Sequence, residues 1–219
     1  MHVHLIDSAF IALTHTPNYS RDDLRSSERV LTDGWNPHRQ AEFATGRSCA
    51  RAALERLGFE APEILRHKNG APVWPRLVRG SITHCKEFYA AIVGHERDYV
   101  ALGIDAEPNE RLPDYLIQRF ATGDELHHVR RLQSKQSHFA WDRLLFCSKE
   151  AVFKAASEAH GLSLVASEIR VEFEPEEKKF IARCSIPASR YELDAVFHGR
   201  YWLVRGTVLS LVLVRRLGL

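Results

Sequence analysis

The stretch Val100-Ala-Leu-Gly-Ile-Asp-Ala-Glu107 decides how the chain is organised. Side chains of a strand alternate between its two faces, so Val100, Leu102, Ile104 and Ala106 predict one apolar face. Ala101, Gly103, Asp105 and Glu107 share the other, with two carboxylates two positions apart at the strand end. Like charges placed so closely repel unless a cation or a proton lies between them. Hard oxygen donors of this kind suit Mg²⁺, while a solvated strand end is the plainer alternative.

Upstream, a helix is predicted from Asn36-Pro37, an N-cap residue followed by proline in the first turn, to Gly58, a natural C′ residue. Arg39, Phe43, Arg47 and Arg51 fall four apart on it and share a face. Such like-charge spacing is unfavourable in isolation. It reads either as a solvated face relieved by Glu42 and Glu55, or as an anion-binding surface, because guanidinium forks match phosphate. Residues 1–35 read as irregular or weakly helical. The segment from Ala61 to Arg79 reads as a surface loop, with Arg66, Lys68, Gly70, Pro72 and a packing Trp74. Strand-like runs follow at Ser81–His84, Phe88–Val93 and Val100–Glu107, which gives a first lobe of helix followed by meander. On Gly80-Ser-Ile-Thr-His-Cys85, Ser81 and Thr83 take one face and His84 the other.

Downstream, helical pattern covers Pro113 to Glu158 in two or more pieces. In Trp141-Asp-Arg-Leu-Leu-Phe-Cys-Ser-Lys-Glu-Ala-Val-Phe-Lys154, the residues Trp141, Leu144, Leu145, Ser148, Ala151, Val152 and Ala155 form one core face at helical period. Phe146, Glu150 and Lys154 lie four apart on another, with Lys149 beside them. Glu150 and Lys154 read as a surface ion pair, or as a third carboxylate with lysines facing a phosphoanion. Strands are predicted at Ile169–Phe173, Phe180–Ser185, Arg190–Phe197, Tyr201–Arg205 and Val208–Val214. Helix then strands, twice, predicts an α+β fold of two lobes, residues 1–103 and 104–219.

At 219 residues the length lies between one domain and two, and 45% hydrophobic with 26% charged residues excludes a disordered or collagen-like chain. Thirty basic against 28 acidic residues leave a net charge of +2, so no nucleic-acid or membrane partner is announced. Cys49, Cys85, Cys147 and Cys184 form no C-x-x-C pair, and no N-terminal stretch resembles a signal peptide; both point to a reduced cytoplasm. The 12 histidines show no metal-ligand spacing. The P-loop, G-x-G-x-x-G, H-E-x-x-H and G-x-S-x-G patterns do not occur.

Taken together and in this order, these segments resemble the 4′-phosphopantetheinyl transferase superfamily, in its large monomeric form that serves surfactin, enterobactin and related synthases. The resemblance rests on Leu102-Gly-Ile-Asp105 and on Phe146-Cys-Ser-Lys149-Glu150-Ala151-Val-Phe-Lys154. It rests also on Gly70-x-Pro72-x-Trp74-Pro75, on Gly80-Ser81-Ile-Thr-His84-Cys85 and on the Arg39, Arg47, Arg51 helix. It covers residues from about 36 to 157. Asp105-Ala-Glu107-Pro108 and Trp141-Asp142-Arg143 look most like actinobacterial members.

The resemblance implies two similar α+β lobes related by a pseudo-two-fold axis, with coenzyme A in the cleft between them. It implies transfer of the 4′-phosphopantetheine arm of coenzyme A to a serine of an apo acyl, peptidyl or aryl carrier protein, with release of adenosine 3′,5′-bisphosphate. Asp105, Glu107 and Glu150 would hold Mg²⁺, for which Mn²⁺ is a substitute. Glu150 or a metal-bound water would take the serine proton, Lys154 would stabilise the reacting phosphate or protonate the leaving group, and Lys149 would help neutralise the pyrophosphate. Arg39, Arg47, Arg66 or Lys68, and His84 would grip the 3′-phosphate and adenosine, with Ser81 and Thr83 as minor contacts and Arg51 as support. Arg119, Arg130, Arg131 and Lys135 would meet an acidic carrier helix. A monomer is expected, in contact with neither nucleic acid nor membrane. The competing readings are another Mg²⁺-dependent phosphoryl-transfer or nucleotide-hydrolysing enzyme and a weak nucleic-acid-binding module using the arginine helix.

Overall fold

The computed structural model describes residues 1–14, 21–60, 62–160, 164–186 and 193–216. The chain divides into two compact units, Met1–Leu102 with Arg215–Leu219, and Gly103–Val214. Each combines helices with an antiparallel sheet, so the class is α+β.

The first unit holds strands β1 (His2–Ile6), β2 (Ala9–Thr14), β3 (Val78–Cys85) and β4 (Phe88–His95), with helices α1 (Ser26–Leu31) and α2 (Pro37–Arg56). Sheet order is β1-β2-β4-β3, antiparallel throughout. Helix α2 begins as its sequence dictates: Asn36 caps it by accepting from Arg39 N at 2.8 Å, and Gly58 follows it with φ +90°. Small residues bring it down onto the sheet, where Cys49, Ala50, Ala53 and Leu54 pack with Ala12, Tyr89, Ala91 and Val93.

Two expectations fail here. Of residues 1–35, which read as irregular or weakly helical, Ser26–Leu31 is helical as expected, whereas residues 2–14 instead supply β1 and β2. Their turn lacks the Asn-Gly signal, and Asp7 takes the left-handed conformation at φ +56° instead. Strand β2 is defined by pairing with β4, about eighty residues on, which no local pattern reveals. The third strand of the expected meander, β5 (Tyr99–Pro108), also leaves this sheet and joins the other.

The second unit carries α3 (Asp114–Ile117), α4 (Gly123–Lys135), α5 (Trp141–His160), β6 (Ile169–Glu174), β7 (Lys179–Ile186), β8 (Leu193–Val204) and β9 (Thr207–Arg215). The sheet runs β5-β9-β8-β7-β6. All seven residues expected on the inner face of α5 are buried. Ser148 Oγ lies 3.0 Å from Ser210 Oγ, which seats α5 on β9. An aromatic cluster of Phe139, Trp141, Phe173 and Tyr201 fills the space at the start of α5.

Strand β5 ends on the partly exposed Glu107 and Pro108 but is covered on both faces from Ala101 to Ala106, so the solvated strand end expected as the plainer alternative does not reach Asp105. The reason is Gly103: a Cβ there would stand 2.0 Å from Ala151 O and 2.9 Å from Ala155 N. The glycine of the Leu102-Gly-Ile-Asp105 motif is therefore the point where the backbone of α5 touches the strand. Tyr201–Arg205 is not a separate strand either. Gly199 continues β8, opposite Phe180, whose ring occupies the place of a side chain. Arg190 lies outside the described residues. No helix of the described residues is long and apolar enough to cross a membrane. Cys49, Cys85, Cys147 and Cys184 are free thiols.

Candidate functional site

The first unit gathers a group of basic side chains around α2 and the loop at 64–72. Asn36 and Pro37 start the helix so that Arg39 stands exposed in its first turn. Its guanidinium lies 4.8 Å from the centre of the Trp35 ring, and that of Arg66 lies 5.6 Å from the same ring. Cation–π contact holds both groups without consuming their hydrogen-bond donors. The turn that presents Arg66 closes through Gly70 N to His67 O and His67 N to Ala71 O, at 2.9 and 2.8 Å. Gly70 has φ +95°, and a Cβ on it would face the Arg66 guanidinium at 3.5 Å. Lys68 is exposed on the same turn. His84 is half-exposed on β3, stacked on Tyr89, with Nδ1 3.9 Å from Glu42.

Other members of the expected set are placed differently. Arg47 is buried rather than on an open face: Nε donates to Ile64 O at 2.7 Å and Nη2 to Leu65 O at 3.3 Å. Burial lowers its pKa to about 10, which still leaves it charged. Arg51 is buried in an ion pair with Glu28. Ser81 and Thr83 are 5% and 4% exposed, so they lie inside the fold. Arg39, Arg47 and Arg51 share one face of α2, but of the three only Arg39 meets solvent; at Arg47 and Arg51 that face meets the chain at 23–28 and 64–65.

The second unit holds the acids. Asp105 is buried at the end of β5, and its Oδ1 accepts from Lys154 Nζ at 2.7 Å. The same ammonium donates to Ile104 O at 3.0 Å, which the close approach at Gly103 makes possible. Glu107, two residues along the strand, accepts from Arg143 Nη1 at 3.2 Å. Glu150 is half-buried one turn before Lys154 on α5. Burial, and then the charge of Asp105, push the carboxyls of Glu107 and Glu150 above the usual carboxylate range; Arg143 and Lys154 partly offset this. Three carboxylates thus share one field.

That donor set suits a divalent ion in its chemistry, since only hard oxygens are offered and a dication would cancel their repulsion. As they stand, no three His, Cys, Asp or Glu side chains of the described residues are gathered to ligate one ion. Lys154 and Arg143 each hold one of the carboxylates instead.

Lys149 departs most from expectation. It is 2% exposed and donates to Phe120 O at 2.7 Å, Glu125 Oε2 at 2.9 Å and Ala166 O at 3.0 Å. All three ammonium donors are thereby used. Glu125 is equally buried; it closes the capping box of α4 through Thr122 N and accepts from Val171 N at 2.8 Å. Lys149 is therefore a structural clamp and not a phosphate ligand. Its pKa is lowered by burial, against the pull of Glu125.

Sequence reasoning missed Trp35, Glu28, Glu125 and the full role of Arg143. Only Thr122-x-x-Glu125 carried a local signal, as a capping box.

A basic group able to grip phosphate and an acid group able to hold a divalent ion are the parts of a phosphoryl-transferring enzyme. Comparison narrows that class. Residues 28–94 match the 4′-phosphopantetheinyl transferase N-terminal domain, and residues 101–205 match the 4′-phosphopantetheinyl transferase superfamily. The chain is 41% identical to 4′-phosphopantetheinyl transferase Svp of Streptomyces mobaraensis over 81% of its own length and 73% of that protein. It is 34% identical to 4′-phosphopantetheinyl transferase PptT of Mycobacterium tuberculosis, over 80% and 79% of the two chains. Identity to 4′-phosphopantetheinyl transferase Npt of Nocardia iowensis is 39%, over 64% and 61%. The chain belongs to the 4′-phosphopantetheinyl transferase superfamily.

Proposed function

We propose that the protein transfers the 4′-phosphopantetheine arm of coenzyme A to a serine hydroxyl of an apo carrier protein. The serine oxygen forms a bond to the phosphorus that bears pantetheine. The pyrophosphate P–O bond breaks, adenosine 3′,5′-bisphosphate leaves, and the serine proton passes to a base. The observation that carries this reading is the contact of Lys154 with Asp105 at 2.7 Å, with Glu150 one helical turn away in the field of the same aspartate.

Glu150 serves as the base. Its raised pKa brings it nearer to the pH at which a serine proton is removed. Lys154 offers its ammonium to the charge that develops on the leaving phosphate. Asp105 orients that ammonium. Arg39, Arg66, Lys68 and His84 bind the 3′-phosphate and adenosine. Arg47 contributes mainly by holding the backbone from which Arg66 projects. Asp105, Glu107 and Glu150 would hold a divalent ion of the magnesium class, which when bound neutralises pyrophosphate charge.

The carrier is read as an acidic protein meeting Arg119, Arg130, Arg131 and Lys135, all exposed at or along α4. Rim charges of this kind act on encounter more than on chemistry. The enzyme works as a monomer in the cytoplasm, on the carriers of fatty-acid, polyketide or nonribosomal-peptide synthases. One mixture tests the reaction: purified protein, coenzyme A, Mg²⁺ and each of several apo carriers, with the carrier weighed afterwards. Gain of one phosphopantetheine on a carrier is expected. No gain on any carrier, with coenzyme A hydrolysed instead, removes the reading in favour of a hydrolase.

A further inference from the structure

We infer that the buried Glu28–Arg51 pair is a positioning device for the anion-binding arginines, acting through the backbone at residues 64–66. The inference rests on the coenzyme A reading above. Glu28 is fully buried on α1, and both its oxygens accept from Arg51 Nη1, at 2.9 and 3.0 Å. Each oxygen also takes a backbone N–H: Oε2 that of Arg25 and Oε1 that of Ile64, both at 2.9 Å. Arg51 Nη2 reaches Asp23 O at 3.3 Å. One carboxylate thus joins the start of α1, the middle of α2 and the loop.

Ile64 is gripped from both sides. Glu28 takes its N–H, and Arg47, one turn before Arg51 on α2, takes its carbonyl at 2.7 Å and that of Leu65 at 3.3 Å. Two residues beyond Ile64 stands Arg66, with its guanidinium over Trp35 beside that of Arg39. Ile64 also packs in the core with Cys49, Ala50, Ala53 and Leu54 of α2, so packing seats the loop on the helix that carries Arg39 and the polar grip fixes the direction in which it leaves. Two guanidiniums can act on one phosphate only if their spacing is fixed, because long side chains otherwise spend the binding energy on ordering. The ionic contacts of Glu28 and Arg51 lie in low dielectric, where loss of one partner leaves the other charged and buried. The device is therefore stiff, and it sits away from the exposed groups it sets.

The test compares coenzyme A with dephospho-coenzyme A, which lacks the 3′-phosphate, through the ratio of kcat/KM for the two. Arg51→Lys keeps the buried charge balanced and removes the fork; Glu28→Gln removes the charge. Folding of both is checked by circular dichroism, and Arg51→Lys alone carries the test if Glu28→Gln does not fold. The ratio is expected to fall about tenfold in either variant, as displacement of a supporting group does elsewhere. Turnover at saturating coenzyme A is expected to stay within twofold. Arg39→Ala serves as the reference for a lost phosphate contact. If Arg39→Ala collapses the ratio and the Arg51→Lys variant keeps it, the positioning inference falls alone. If Arg51→Lys lowers turnover equally for both substrates, its role is general stability, and the inference also falls. If Arg39→Ala itself leaves the ratio unchanged, the placement of the phosphate site falls, and the positioning with it.

Discussion

The two charged groups of this protein are built on opposite principles. In the first unit, cations are arranged side by side and kept apart by stiff neutral or buried partners: the Trp35 ring under Arg39 and Arg66, and the Glu28–Arg51 pair behind them. In the second unit, acids crowd one strand end and are held by cations lying directly on them, Lys154 on Asp105 and Arg143 on Glu107. The first arrangement leaves its donors open to an incoming anion. The second leaves its charge only partly compensated, so that Glu107 and Glu150 are pushed toward protonation. A site meant to bind can be assembled in advance, whereas one that reacts keeps groups of unequal basicity in contact.

Removing the centre of the acid group should have the largest effect. Asp105→Ala is expected to lower turnover by about a hundredfold or more, since it frees Lys154 and takes away one oxygen donor. Turnover within tenfold of the parent would place the chemistry elsewhere. Next comes the basic group, where Arg39→Ala should raise the KM for coenzyme A about tenfold, the value of one charge-assisted hydrogen bond, at unchanged turnover. A loss of turnover instead would erase the division between binding and reacting groups.

The two lysines of the α5 motif sharpen the comparison further. Lys149→Met leaves Glu125 charged and buried, which costs roughly 3 to 5 kcal/mol and lowers the melting temperature by on the order of 10 °C. Lys154→Met also leaves a buried carboxylate, Asp105, but its own side chain is partly exposed, so it should cost less stability than Lys149→Met and most of the turnover. The reverse pattern would restore Lys149 to the reaction and retire Lys154 from it. The smallest effect concerns Glu150. A carboxyl whose pKa is raised on folding weakens the fold as pH climbs from the ordinary carboxylate value through the raised one, and not below it. In metal-free buffer Glu150→Gln should therefore melt higher than the parent at neutral pH, with the difference vanishing in acid. A variant that melts lower at neutral pH would mean that Lys154 outweighs Asp105 and burial at this carboxyl.

Much of this was legible in order along the chain. The α2 boundaries follow from Asn36-Pro37 and Gly58, and the inner face of α5 from its 3.6-residue period, because both signals are local. Asp105 and Glu107 were legible as a pair from strand alternation, while helix spacing left Glu150 open between an ion pair with Lys154 and a third carboxylate, and the resemblance joined the three. Strands β1 and β2 were not legible: β1 is an edge strand with exposed His2, His4 and Leu5, and β2, which buries Ala9, Ile11 and Ala12, is set by pairing with the distant β4. The sheet that receives β5 was not legible for the same reason. The break expected between Phe197 and Tyr201 is filled by Gly199, which makes room for the Phe180 ring across a strand pair.

The charged residues divide in the same way. Local pattern along the chain was enough for α5, β6, β7 and β9 of the second unit, for the shared face of Arg39, Arg47 and Arg51, and for the one-turn spacing of Glu150 and Lys154 on α5, although the ammonium pairs with Asp105. These rest on periodicity, and periodicity belongs to the backbone. Which charges are working surface and which are buried braces depends on contacts between segments far apart in the chain. Arg47, Arg51 and Lys149 read from sequence like Arg39 and Lys154. They differ because remote groups, namely the Ile64 and Leu65 carbonyls, Glu28, and Glu125 with two further carbonyls, satisfy their donors in low dielectric. A charge is spent or available according to its partners, and for these residues the partners lie 17 to 29 positions away along the chain.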